Sequence, residues 1–129
     1  VNQAVEQIRL LNRFRCSNPV PEDVIAAAEQ QLQSAFAPDY RASVAAFGCV
    51  TCFGHELTGI SDAKRLDVVE VTERQRAENK TVPNTWYVIE ELHIDDVCAW
   101  QSPQGDIYLV HPCGEPSHVA DTLLDYLKS

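Results

Sequence analysis

The chain has 129 residues, 45% of them apolar, and carries 10 Lys and Arg against 19 Asp and Glu, a formal net charge of −9. That length suits one domain with its own core and is too short for two, and the apolar fraction lies well above the disordered range. The sign of the charge speaks against nucleic acid or an anionic membrane as a direct ligand, since phosphates would be repelled where a binder must neutralise them.

Taken in chain order, Val5, Ile8, Leu10 and Leu11 recur at helical spacing, so residues 2–14 are expected to form a first amphipathic helix. Residues 1–19 then form a helix and a linker broken by Pro19 and Pro21. Pro21 is placed to open a second helix, with Glu22 and Asp23 in its first turn and Val24, Ile25, Ala28 and Leu32 as its stripe to about residue 34. Pro38 opens a third, short helix with Tyr40, Val44 and Phe47 on one face and Gly48 as its stop. Residues 49–53 and 56–60 are short strand candidates separated by Gly54-His55, and 68–71 is another; the polar run 72–80 is expected on a surface helix. Residues 86–92 are the strongest strand candidate, and 97–101 and 106–110 flank a turn containing Pro103 and Gly105. Residues 112–116 are loop, and Ser117 is expected to cap a last helix with Val119, Leu123, Tyr126 and Leu127 on one face. Helices, then an antiparallel meander, then a helix: the expected class is α+β, a single domain over 1–129 with its helices on one face of a central, mainly antiparallel sheet.

The charge is uneven, with 9 basic and 11 acidic residues over 1–81 but 1 and 8 over 82–129. A surface of one sign steers basic partners, although it also keeps a domain soluble. The five cysteines, Cys16, Cys49, Cys52, Cys98 and Cys113, are expected to be free thiols in a reducing compartment. The opening residues carry charges without the apolar run of a signal peptide, and no stretch nears the roughly 20 apolar residues of a membrane span. Cytoplasm is the expected location.

Cys49-x-x-Cys52 has no second pair to complete a zinc site; Cys98, Cys113, His55 and His111 are scattered singly. On a strand its two sulfurs would face opposite ways, so both are read as small buried hydrophobes, and no metal or cofactor is expected. His111, Cys113 and His118 suggest a thiol–imidazole pair, but no nucleophile elbow or oxyanion turn accompanies them. Trp86, Trp100 and Tyr108 are expected in the core. Two acidic doublets remain, Glu90-Glu91 and Asp95-Asp96. Members of the first face opposite sides of a strand and those of the second mark a turn; together they are the candidate face for a basic protein partner. No catalytic residue stands out.

The series as a whole resembles the SUKH superfamily of Smi/Knr-type domains. The signals are the helix near Pro21, Phe36-Ala37-Pro38-Asp39-Tyr40, Glu56-Leu57-Thr58-Gly59, residues 68–72 followed by Arg74 and Arg76, and Pro83 before Trp86. The strands at Cys98–Trp100 and Gly105–Tyr108 and the closing Asp125-Tyr126-Leu127 complete it, over about 20–128. Two features depart from the usual pattern. Only Phe47-Gly48 stands where an Asn-Gly-Gly-like stretch is common, and Asp95-Asp96 stands where Gly-Asp is common. The resemblance implies an α+β domain without catalytic residues. It also implies an immunity protein that occludes a cognate bacterial toxin, often a nuclease or deaminase, or else a regulatory or scaffolding domain. A small metal-dependent or thiol hydrolase is the alternative from another class.

Overall fold

The structure is a computed structural model and describes residues 3–112 and 114–129. The front of the chain is helical. Pro21 leads into α2 (Glu22–Leu32), which turns Ile25, Ala28 and Leu32 into the core while Val24 stays exposed. Pro38 starts α3 (Pro38–Phe47), and Gly48 ends it at φ +72° and ψ −108°, a backbone conformation suited to glycine, its N–H bonded to the Val44 carbonyl. The first helix is shorter than its spacing suggests: α1 is Gln3–Arg9. Beyond it the chain tightens through Leu10 N–Gln7 O and Leu11 N–Ile8 O bonds, and Arg13 takes φ +59°. The turn lays Phe14 edge-on against Phe47, ring centroids 4.8 Å apart, and delivers β1 (Arg15–Cys16) to the sheet.

Two antiparallel sheets follow. In the first, β1 pairs with β2 (Val50–Cys52), which pairs with β3 (His55–Glu56) across the Phe53-Gly54 turn. The second is a meander of β4 (Tyr87–Glu91), β5 (Cys98–Gln101), β6 (Ile107–Val110) and β7 (Ser117–Ala120). Residues 56–58 stitch the sheets together: Thr58 N–H donates to Ile89 O and Thr58 Oγ1–H to Val88 O, both at 2.8 Å.

Two expected elements change type. Residues 68–71 are not a strand but the first turn of α4 (Val68–Glu78). Asp67 caps it by accepting from Glu70 N–H, and Val68, Val69, Val71 and Thr72 form one buried helical face despite their β-branched side chains. Ser117 is no cap; it begins β7, and Thr122 instead caps α5 (Leu123–Lys128) by accepting from Asp125 N–H. Val119 is therefore off the helix and 43% exposed.

The helices cover both faces of the meander rather than one. Tyr87, Ile89, Ala99 and Ile107 enter the main core with Ile8, Leu32, Val44, Leu123 and Leu127. Val88, Cys98, Trp100 and Val110 form a smaller core beneath Val71 and Val82. The Phe36–Tyr40 motif is the polar joint of the main core. Tyr87 OH receives the Ala37 N–H and donates to Gln101, whose amide donates to Asp39, and Asp39 accepts the Leu123 N–H at the start of α5. Gly59 is required by a close approach, since a Cβ there would run into the Gly48 carbonyl.

Candidate functional site

A β-bulge builds the site. Val88 pairs with Trp100 but Glu90 pairs with Ala99, leaving Ile89 as the extra residue on β4. Directly opposed residues share a face, so Glu90 joins Ala99 on the inner side and Glu91 joins Cys98 on the outer. Glu90 is consequently only 4% exposed. Its Oε1 accepts from His55 Nδ1 at 2.9 Å and from Tyr126 OH at 2.5 Å, and its Oε2 accepts the Glu56 N–H at 2.5 Å. One carboxylate thus ties β3, β4 and α5 together. The His55 ring leans on Tyr126, centroids 4.9 Å apart. The hydrogen bond to Glu90, above all, raises the pKa of His55 against the opposing effect of burial. Burial, then the charge of Glu90, raises that of Tyr126.

Around this hub lies one end of the molecule. A cleft of about 410 Å³ runs past Cys52, His55, Glu90, His93 and Ile94, and a neighbouring groove of about 340 Å³ is lined by Leu11, Cys52, Phe53 and Leu127. Two large apolar side chains stand on their rims, Phe53 at 69% and Ile94 at 67% exposure. The loop of residues 92–97 that carries Ile94 is closed by Leu92 N–Val97 O and Val97 N–Ile94 O bonds. Three of its side chains, His93, Asp95 and Asp96, sit at φ +60°, +56° and +57°. Asp and His tolerate this conformation better than most residues, though three such positions in one loop still carry a local backbone cost.

The four acidic candidates therefore part company. Asp95 and Asp96 are exposed at the loop tip. Glu91 is half-buried and accepts from Arg74 and Gln75 of α4, each at 2.8 Å. Glu90 was expected on the face offered to a partner, but the bulge turns it inward and leaves it only 4% exposed.

Among the described residues, the cysteines and histidines do not complete a nucleophile–base site. Cys52 and His55 oppose one another across the hairpin, and Glu90 orients the His55 ring as it would in a triad. Yet the other nitrogen, Nε2, lies 3.4 Å from Ser129 O, and burial, with Glu90 adding to it, holds the Cys52 thiol above its usual pKa, away from the reactive thiolate. Cys49 is buried too, its thiol 3.8 Å from Leu66 O. Cys16, Cys49, Cys52 and Cys98 are free thiols, as expected; Cys113 lies outside the described residues. His111 is exposed, while His118 faces Asp106 and Asp121. Trp100 is fully buried, whereas Trp86 and Tyr108 are only half-buried and stack on each other at 4.1 Å. Among the described residues, no helix is long and apolar enough to cross a membrane.

The layout is α+β, with front helices, an antiparallel meander and a closing helix, its sheets stitched through Glu56–Thr58 and an interior polar joint at Phe36–Tyr40. The chain belongs to the SUKH_5 family: the family model described as SMI1-KNR4 cell-wall matches residues 1–129. The match includes α1, beyond the 20–128 expected, in keeping with the burial of Ile8 in the main core. SUKH domains are in general toxin-immunity or SMI1-KNR4-like proteins. No curated protein matches the chain in sequence.

Proposed function

We propose that this protein is a bacterial immunity protein that binds a cognate, basic toxin domain and neutralises it by stoichiometric occlusion, without catalysis and in the cytoplasm. The observation that carries this reading is the 92–97 loop, a hydrogen-bonded projection that offers one apolar side chain, Ile94, beside two exposed carboxylates, Asp95 and Asp96. An apolar anchor with a charged rim is the usual anatomy of a specific interface. The net charge of −9 would speed encounter with a cationic partner. Glu91 borders the contact, and Glu90 braces it from within. A toxin that grips nucleic acid, a nuclease or deaminase, presents the basic surface such a loop fits.

Coexpression with a toxin encoded beside this gene tests the proposal. Growth should be rescued by the wild-type chain and lost again with Asp95→Lys/Asp96→Lys; failure of the wild-type chain to bind or protect against any such toxin would count against immunity. The description of the matched family favours a second reading, in which the same end of the fold engages an endogenous partner as a regulatory or scaffolding domain.

A further inference from the structure

A second β-bulge, at the far side of the meander, brings together three side chains that the sequence keeps apart. Ile107 pairs with Ala120, but Tyr108 pairs with His118, so Val119 is the extra residue on β7. In a regular strand His118 and Asp121, three positions apart, would point to opposite faces. The bulge puts His118 opposite Tyr108 on the outer face, and Asp106 and Asp121, the next positions beyond the Ile107–Ala120 pair, fall on that same face. Their donor atoms converge: His118 Nε2 lies 3.3 Å from Asp106 Oδ1 and 3.1 Å from Asp121 Oδ1, and all three donors lie within 4.8 Å of one another.

The 3.3 and 3.1 Å separations are those of ion pairs from one imidazole to two carboxylates, and a tetrahedral Zn²⁺ at ~2.0–2.1 Å would hold ligand atoms similarly far apart, about 3.3 Å. Two carboxylates placed opposite each other also repel, and a divalent ion answers that repulsion more fully than one imidazole can. The ring is held in place, edge-on to Tyr108 at 5.4 Å, with Tyr108 stacked in turn on Trp86. The three side chains are partly exposed, His118 at 45%, Asp106 at 41% and Asp121 at 78%, so an ion has free entry and keeps water in its remaining positions.

We propose that Asp106, His118 and Asp121 form a surface site for one divalent transition-metal ion, Zn²⁺ above all. The imidazole selects zinc, nickel, copper or cobalt over magnesium and calcium, which prefer all-oxygen shells.

The test is calorimetric titration of the full chain with ZnCl₂, in a background with Cys16→Ser and Cys113→Ser so that thiols do not compete. One Zn²⁺ per chain is expected, unaffected by a large excess of Mg²⁺, with affinity at least tenfold weaker in His118→Gln and in Asp121→Asn. Asp121 is exposed enough that its substitution leaves the fold intact, which circular dichroism would verify. Absence of stoichiometric binding, or equal uptake by the wild-type side chains and either variant, would overturn the site.

Discussion

Replacing Glu90 with Ala should be among the most damaging single changes outside the apolar core. The substitution strands three donors at once, His55 Nδ1, Tyr126 OH and Glu56 N–H, in a place where Glu90 itself is 4% exposed. Breaking a buried charged group away from its partners costs ~3–5 kcal/mol, against a total stability on the order of 6–19 kcal/mol for a chain of this size. The melting temperature should fall by roughly 10–20 °C. Glu90→Gln keeps the shape and one acceptor for Glu56 N–H, and its amide donates to the Tyr126 hydroxyl, so about 1–3 kcal/mol is expected. The pH dependence supplies a second reading. Because the folded-state pKa of His55 is raised, chiefly by the bond to Glu90, its stabilisation is fully present below the unfolded value of about 6.5 and is lost as pH rises through the folded value. Urea titrations across this window should show the wild-type chain losing stability with rising pH and Glu90→Gln losing less. A penalty for Glu90→Ala below about 1 kcal/mol, with no change in the pH profile, would refute the role given to this carboxylate.

Other changes probe the scaffold. Thr72→Val keeps the volume of a fully buried side chain but leaves the Val88 N–H, now bonded to Thr72 Oγ1 at 3.0 Å, without an acceptor; equilibrium unfolding should show a loss of ~1–3 kcal/mol. Gly59→Ala forces a Cβ onto the Gly48 backbone, and a marked loss of stability or of soluble expression is expected, whereas Gly54→Ala, in open space, meets only the strain of φ +83° and should be milder. Native alkylation followed by mass spectrometry should label exposed Cys16 quickly. Cys98, buried and with its thiol pushed up to about 12, should remain unlabelled until the protein unfolds.

Much of this fold was legible in the sequence. Pro21, Pro38 and Gly48 marked helix ends as their backbone chemistry requires, and the turn at Pro103 and Gly105 set the β5–β6 hairpin, where Gly105 N–H bonds Ser102 O. Two errors came from competing local signals. The Val68-Val69-Glu70-Val71 run has strand propensity, but Asp67 three residues before Glu70 is a helix-capping pattern, and capping prevailed because the helix buries the same valines. Ser117 resembled a cap, yet the Thr122-x-x-Asp125 pattern was the one used. The site was less legible. Asp95 takes φ +56°, a backbone region that glycine adopts most readily and Asp more readily than most other residues. Neither bulge has a sequence signature, however. One decides that Glu90 points inward, and the other that His118 meets Asp106 and Asp121.

The proposed role rests on the loop end of the molecule making the contact. The direct measurement is the dissociation constant of a neighbouring-gene toxin domain for the wild-type chain and for Ile94→Ala and Asp95→Lys/Asp96→Lys, at low and moderate salt. A one-to-one complex is expected, weakened at least tenfold by Ile94→Ala at either salt, as for a buried interface anchor. The double charge reversal should slow association mainly at low salt. Affinities and association rates unchanged in both variants would place the partner elsewhere on the protein and contradict the account.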